Sequence, residues 1–374
     1  MKKCPALVFL AFVAVTACGA INQYNQAGPA TLKDAFKNDF LVGAAINRSQ
    51  FYGEDKRGVP IIQAQFNSIT PENVLKWQLV HPLPGKFDFA AADRYVEFGE
   101  TNHMFIIGHT LIWHHQTPRW VFEDEDGNPV DRGVLLQRMR EHILTVVGRY
   151  RGRIKGWDVV NEALNDDGTL RESPWRKLIG DDYIEKAFQF VHEADPRAQL
   201  HYNDYALENI RKRHGAMALI KKLQAEGIPI TAVGLQEHVK MDWPSTNQMD
   251  ETISDFAKLG VKVMITELDV DVVPATQSSH SADITLNAQQ ATNADVFAAG
   301  LPEAKQQALA RRYADLFRVY LKHRADIPRV TFWGVTDGDS WLNSRGRVNY
   351  PLLFDRAGNP KPAFEEVIRV AHER

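Results

Sequence analysis

Cysteine is almost missing from this chain: its 374 residues hold two, Cys4 and Cys18, both close to the N-terminus. The rest of the chain has no disulfide framework and no thiolate metal site, so stability has to come from a buried core. Charge of one sign is also lacking. Forty-four Lys and Arg stand against 47 Asp and Glu, a formal net of −3. With no basic stripe and no acidic tail, nucleic acid is excluded as a partner. The apolar stretch Ala6 to Ala14 is too short to cross a bilayer as a permanent helix. The first strand-like run, Val42-Gly43-Ala44-Ala45-Ile46, has one glycine and no phosphate-cradling turn, which weighs against a dinucleotide-binding open sheet. His114 and His115 lack the spaced His, Cys and carboxylate partners of a zinc site. No metal and no cofactor are expected.

What is present begins with a processing signal. Lys2 and Lys3 precede the apolar stretch, which ends in Val15-Thr16-Ala17-Cys18-Gly19. This resembles the lipobox of bacterial lipoproteins. It implies a signal peptide over 1–17, a lipidated Cys18, a short tether over 18–31 and a folded domain over 32–374. The alternative is a plain secretory signal cut near Ala17 or Ala20. Either way the chain is expected to be exported to the cell envelope or secreted, with a lipid anchor as its only membrane contact.

From Leu41 onward, apolar strand-like runs alternate with helical patterns. Eight runs stand out: Leu41 to Ile46, Ser68 to Thr70, Met104 to Leu111, Ile154 to Val160, Gln199 to Tyr202, Ala232 to Leu235, Val261 to Thr266 and Val330 to Val335. Helical periodicity marks Val134 to Tyr150, Asp182 to Glu193, Arg213 to Glu226 and Pro302 to His323. In Arg213 to Glu226 the stripe is Met217, Leu219, Ile220 and Leu223. Eight strands alternating with helices predict an α/β fold, a (β/α)₈ TIM barrel in a single domain. Pro274 to Gly300 breaks the rhythm with Ala, Ser, Thr, Gln and Asn; it is expected to be a long surface loop, with an interdomain linker as the alternative. A monomer is expected.

The strand ends carry the chemistry, because in such a barrel they converge on one face. Glu162 closes the run Ile154-Lys-Gly-Trp-Asp-Val-Val-Asn-Glu162, and Glu267 closes Val261-Lys-Val-Met-Ile-Thr-Glu267. A single strand-end glutamate is usually a solvated loop residue. Two across one face can cleave a glycosidic bond, one giving a proton and the other attacking or stabilising. The other strand ends bring His109, Trp113, His201, Asn203, Tyr205, Gln236, His238, Trp333 and Trp341. These are hydroxyl-reading groups and aromatic faces. Eight tryptophans fit sugar stacking as well as core packing.

The segments Asn67-Ser-Ile-Thr-Pro-Glu-Asn73, Trp157-Asp-Val-Val-Asn-Glu162, Ile265-Thr-Glu-Leu-Asp269, Trp333-Gly-Val-Thr-Asp337 and Tyr350-Pro-Leu-Leu-Phe-Asp355 resemble the motifs of glycoside hydrolase family 10 endo-1,4-β-xylanases, in order and over the chain from about Leu41. The resemblance implies a (β/α)₈ catalytic domain acting on internal bonds of xylan and xylo-oligosaccharides. It implies that Glu162 is the acid/base and Glu267 the nucleophile of a retaining double displacement, in which the two carboxyl groups stand ~5–5.5 Å apart. Asn161 is implied to bond the 2-hydroxyl of the sugar being cleaved, and His238, oriented by Asp269, to bond Glu267. Glu72, Asn73, Lys76, His109, Trp113 and Gln116 are assigned to the glycone side, although Lys76 and Glu72 at i,i+4 also fit a plain helical ion pair. Trp333 and Trp341 are expected to wall the cleavage site and disfavour a hexose hydroxymethyl group. Gln236 and Tyr205 complete the set, Tyr205 as an aglycone platform, and Trp77 is expected in the core. Glu237, between Gln236 and His238, departs from the family, which more often has a small residue there.

Two rival functions use the same sequence features. A β-glucanase would share the barrel and both carboxylates, and turnover of xylan against carboxymethyl cellulose separates the two. A non-catalytic sugar-binding barrel should have lost one carboxylate, and this chain has both.

Overall fold

The computed structural model describes Met1, residues 30–274 and residues 296–373, apart from the side chains of 344–346. Most of the expected signal and tether, including Cys4 and Cys18, lies outside the described residues, as does 275–295 of the expected surface loop. Among the described residues no helix is long and apolar enough to cross a membrane.

Runs of β-branched and other apolar residues, buried on both faces, are what a parallel sheet covered by helices requires. They form β1 (Leu41–Ile46), β2 (Ser68–Pro71), β3 (Phe105–Ile112), β4 (Gly156–Asn161), β5 (Gln199–Asp204), β6 (Ala232–Leu235), β7 (His238–Lys240), β8 (Lys262–Asp271) and β9 (Arg329–Phe332). All pairings are parallel. β6 pairs with β8 and β1 with β9, so the sheet closes on itself as an eight-strand barrel. β7 is a short ninth segment continuing the line of β6 along β8. The sequence pattern missed it because three residues are too few to show alternation.

Helices follow the strands: α1 (Gly58–Gln65), α2 (Ala90–Thr101), α3 (Arg132–Arg149), α4 (Tyr183–Ala194), α5 (Ile210–Ala225), α6 (Thr246–Ala257), α7 (Glu303–Lys322) and α8 (Pro362–Ala371). This is the predicted (β/α)₈ barrel, and Thr31–Arg374 is one compact unit. Local chemistry sets the helix ends. Asp131 accepts from Val134 N at the start of α3, and Ser245 with Gln248 closes a capping box at the start of α6. In α5 the buried stripe is Ala216, Leu219, Ile220 and Leu223, with Met217 half-buried. The helix begins before the predicted Arg213 because Asn209 caps Arg211 N. Lys212 and Arg213, which helical spacing alone would leave in solvent, are buried.

Two of the motifs quoted above turn out to hold the frame together. Asp337 accepts from Leu352 N at 2.9 Å and from Lys361 Nζ at 2.9 and 3.1 Å. Lys361 Nζ also donates to the carbonyls of Tyr350 and Leu352. A buried ion pair thus ties the chain after β9 to the start of α8.

Candidate active site

Each carboxylate stands at a break in regularity, Glu162 just past the end of β4 and Glu267 inside β8, which runs on past the predicted end at Thr266. Glu162 follows the last residue of β4 with φ 58, in the left-handed region, a conformation that persists only where surrounding bonds over-determine it. Those bonds are Glu162 N to the Asn203 carbonyl at 2.9 Å and Arg171 Nε to the Glu162 carbonyl at 3.1 Å. Glu267 lies within β8, where the register against β9 shifts between Ile265 and Leu268. Both side chains are buried.

The two carboxylates belong to one hydrogen-bonded network. Glu162 Oε2 accepts from the Trp113 indole N–H at 2.8 Å. Its Oε1 accepts from Gln236 Nε2 at 3.0 Å and from Asn161 Nδ2 at 3.2 Å. Asn161 Oδ1 accepts in turn from Asn203 Nδ2 at 2.8 Å, and the same nitrogen donates to Glu267 Oε1 at 2.7 Å. The path from Glu162 to Glu267 therefore runs through two amides, those of Asn161 and Asn203. Asn161 is left with one amide hydrogen to offer.

On its other side Glu267 Oε2 meets His238 Nε2 at 3.2 Å, and His238 Nδ1 meets Asp269 Oδ1 at 3.1 Å. The Trp341 indole N–H holds Asp269 Oδ2 at 2.8 Å. Burial opposes a charge on His238, but Asp269 and Glu267 outweigh it and raise its pKa to about 10. Burial pushes Asp269 upward, with His238 and Trp341 working against that.

A second group adjoins the first. Lys76 Nζ donates to Asn73 Oδ1 at 3.1 Å, Gln116 Nε2 approaches the same oxygen at 3.4 Å, and the ammonium lies 4.9 Å from the Trp113 ring centre. Burial lowers the Lys76 pKa, against the charges of Glu267, Glu72 and Glu162. Burial raises that of Glu72, with Lys76 opposing. The helical ion pair is ruled out: Lys76 precedes the short helix Trp77–Val80, and its hydrogen bond goes to Asn73. Glu72 and Asn73 border a cavity of about 340 Å³ shared with Asn47 and Arg48. His109 is fixed by Asp158 at 2.9 Å and meets the edge of Trp333, with centroids 5.3 Å apart. Trp77 is in the core, stacked on His142 at 3.7 Å.

Tyr205 requires a correction. It is only 2% exposed, Lys212 Nζ lies 3.2 Å from its ring centre, and its hydroxyl accepts from Arg171 at 2.9 Å. A ring covered in this way is not an open stacking platform. Its place is to support Arg171, which holds the Glu162 carbonyl. Trp113 is also turned inward, with its N–H bonded to Glu162.

Sequence reasoning named Asn203 only among the strand-end groups, without a role, and left out Asp158 and Arg171. Asn203 and Asp158 had a visible signal, a polar residue inside or ending a buried strand, whereas Arg171 sits in a loop with none. Gly234 shows how tightly Asn203 is set: a Cβ there would lie 2.2 Å from Asn203 Oδ1.

The model of glycosyl hydrolase family 10 matches residues 31–370. The chain belongs to that family. It is 43% identical to endo-1,4-beta-xylanase A of Xylanibacter ruminicola over 343 residues, 91% of this chain and 93% of that protein. A family 10 endoxylanase from a sugarcane soil metagenome superposes with a TM-score of 0.85 at 43% identity, covering 91% of this chain and 99% of the other. A variant xylanase of Thermoanaerobacterium saccharolyticum, solved with xylotriose, superposes at 0.80 with 36% identity, covering 91% and 99%. The closed barrel of this family member brings Glu162 and Glu267 together, joined by amides.

Proposed function

We propose that this family 10 member is an endo-1,4-β-xylanase that cleaves internal xylosidic bonds with net retention. The observation that carries it is the asymmetric support of two carboxylates in one network. Glu162 is held by three neutral N–H donors, and Glu267 by an amide and an imidazole that is cationic at neutral pH.

Glu267 is then the nucleophile, set beside a positive ring while its other oxygen is steered by Asn203. It attacks the anomeric carbon as Glu162 gives its proton to the leaving oxygen. Water, deprotonated by Glu162, then releases the sugar from Glu267. Asn161 offers its remaining amide hydrogen to the 2-hydroxyl. Trp333 and Trp341 wall the cleavage site, the latter anchored by Asp269, and His109, Gln116, Lys76, Asn73 and Glu72 bind the glycone. Xylan and xylo-oligosaccharides are the substrates.

The test is hydrolysis of defined xylo-oligosaccharides with the anomeric signals followed by NMR. Internal cleavage with the β-anomer formed first supports the proposal. The α-anomer, or faster turnover of carboxymethyl cellulose than of xylan, overturns it. Export through a lipidated Cys18 is proposed alongside, supported by Val15-Thr-Ala-Cys18; loss of membrane fractionation on Cys18→Ala is the check.

A further inference from the structure

Between β6 and β7 the ladder to β8 is interrupted. Leu235 pairs with Ile265 and His238 with Asp269, so three steps on one side face four on the other. Gln236 and Glu237 fill the gap, and Glu237 takes φ 58. The break lets Gln236 reach Glu162 while His238, two residues on, reaches Glu267. Backbone bonds span the break, from Gln236 N to the Asp204 carbonyl at 3.1 Å, from Glu267 N to the Gln236 carbonyl at 3.0 Å and from Asp269 N to the Glu237 carbonyl at 3.3 Å, and the Glu237 side chain is placed to reinforce them.

Glu237 is 3% exposed and Glu208 4%. The carboxyl of Glu237 meets that of Glu208, in the link from β5 to α5. Neither Glu237 oxygen has an N–H or hydroxyl partner among the described residues. The charged and titratable groups facing the pair are Lys212 and Arg213 of α5, Arg312 and Tyr320 of α7, and His238. The cations are engaged elsewhere: Lys212 with Asp204 at 2.8 Å, Arg213 with Asp255 at 3.3 Å, and Arg312 with the carbonyls of Lys240 and Pro244. Two buried carboxyls in contact without a dedicated cation cannot both be ionised, so one keeps a proton and donates it to the other.

We propose that Glu237 is a positioning residue of the hydrolytic site: the proton it shares with Glu208 fixes the β6–β7 break, so that Gln236 and His238 reach the two catalytic carboxylates together. The brace joins the link after β5, which carries Asn203, to the link after β6. Loss of the shared proton at alkaline pH leaves two buried like charges, which push the links apart and loosen the site. Burial, and then the Glu208 charge, hold the Glu237 carboxyl well above the usual range, in keeping with this geometry. The inference rests on the hydrolase reading given above.

The experiment uses an aryl β-xylobioside with a good leaving group, so that proton donation by Glu162 does not limit the rate. Glu237→Ala should lower kcat about tenfold or more at pH 6 with KM within about threefold. Glu237→Gln, which keeps a donor toward Glu208 but cannot ionise, should restore kcat to within about threefold. Its alkaline loss of kcat should begin at higher pH than in the wild type, and Glu208→Gln should behave alike. Wild-type kcat in Glu237→Ala, or superimposed pH profiles for wild type and Glu237→Gln, would overturn the proposal. If the alanine variant does not fold, the two glutamine profiles decide. A wild-type protein inactive on every xyloside would overturn the hydrolase reading, and this inference with it.

Discussion

Asn203 and Glu267 are joined by a 2.7 Å hydrogen bond, and every other polar atom of the asparagine side chain is also engaged. Its second amide hydrogen goes to Asn161 Oδ1 at 2.8 Å, and its Oδ1 accepts from Thr266 Oγ1 at 2.6 Å. Asn203 is therefore locked, and Glu267 is aimed by a donor that cannot rotate away. A hydrogen bond to a charged group contributes about 1.5–3 kcal/mol. Asn203→Ala should accordingly lower kcat about 10–100-fold with little change in KM. Gly234→Ala should reproduce much of this loss by displacing the amide. Steady-state kinetics on xylohexaose checks both, and a normal kcat in Asn203→Ala would remove the asparagine from the mechanism.

The assigned roles differ in what each carboxylate can be made to do without. Glu267→Ala should lose about 10⁴-fold or more in kcat, with azide partly restoring turnover and yielding the α-glycosyl azide. Glu162→Ala should lose about 10²–10⁴-fold on xylan. It should keep far more activity on aryl xylosides with good leaving groups, which need no proton. Retention of xylan turnover by either variant would contradict the assignment.

His238 supplies a pH dependence with a definite sign. Its folded pKa is raised to about 10, above the ordinary value of 6.5, because Asp269 and Glu267 outweigh the cost of burial. A raised histidine stabilises the fold fully below 6.5 and loses that contribution as pH climbs toward 10. The Tm advantage of wild type over His238→Gln should be largest below pH 6.5 and should shrink steadily above it. Differential scanning fluorimetry across pH 5 to 10 measures this, and a constant difference would show that the ring is not charged.

The barrel was legible because its strands are long enough for buried apolar runs to stand out, Leu41–Ile46 and Lys262–Asp271 above all. Glu162 and Glu267 were legible as a pair, each a charge that interrupts such a run, although the structure carries β8 on past Glu267 to Asp271. What escaped depends on contacts between distant segments. Tyr205 reads as an exposed ring until Lys212 and Arg171 are seen to cover it. Lys212 itself looks solvated until Asp204 is brought to 2.8 Å. Glu237 read only as a departure from the family's usual small residue, and it takes the fold to bring its carboxyl to Glu208. β7 was invisible because it exists through its neighbour β8.

Lys361 and Asp337 test the claim that part of the family's sequence signature is structural. Asp337 accepts four hydrogen bonds or ion contacts from Leu352, Lys361 and, through its backbone, Asn343. Burial pushes the aspartate up and the lysine down, while each opposes the shift of the other. Replacing one member of such a pair leaves the other charged without compensation, at a cost of about 3–5 kcal/mol. Lys361→Met should therefore lower stability by about that amount in urea unfolding at pH 7. The deficit should narrow as pH falls and Asp337 takes a proton, because the stranded charge then disappears. Adding Asp337→Asn should recover part of the loss, since the amide still accepts from Leu352 N and carries no charge. If the double variant is as unstable as the sum of the single ones, the pair is not coupled, and Asp337 would have to act through another partner.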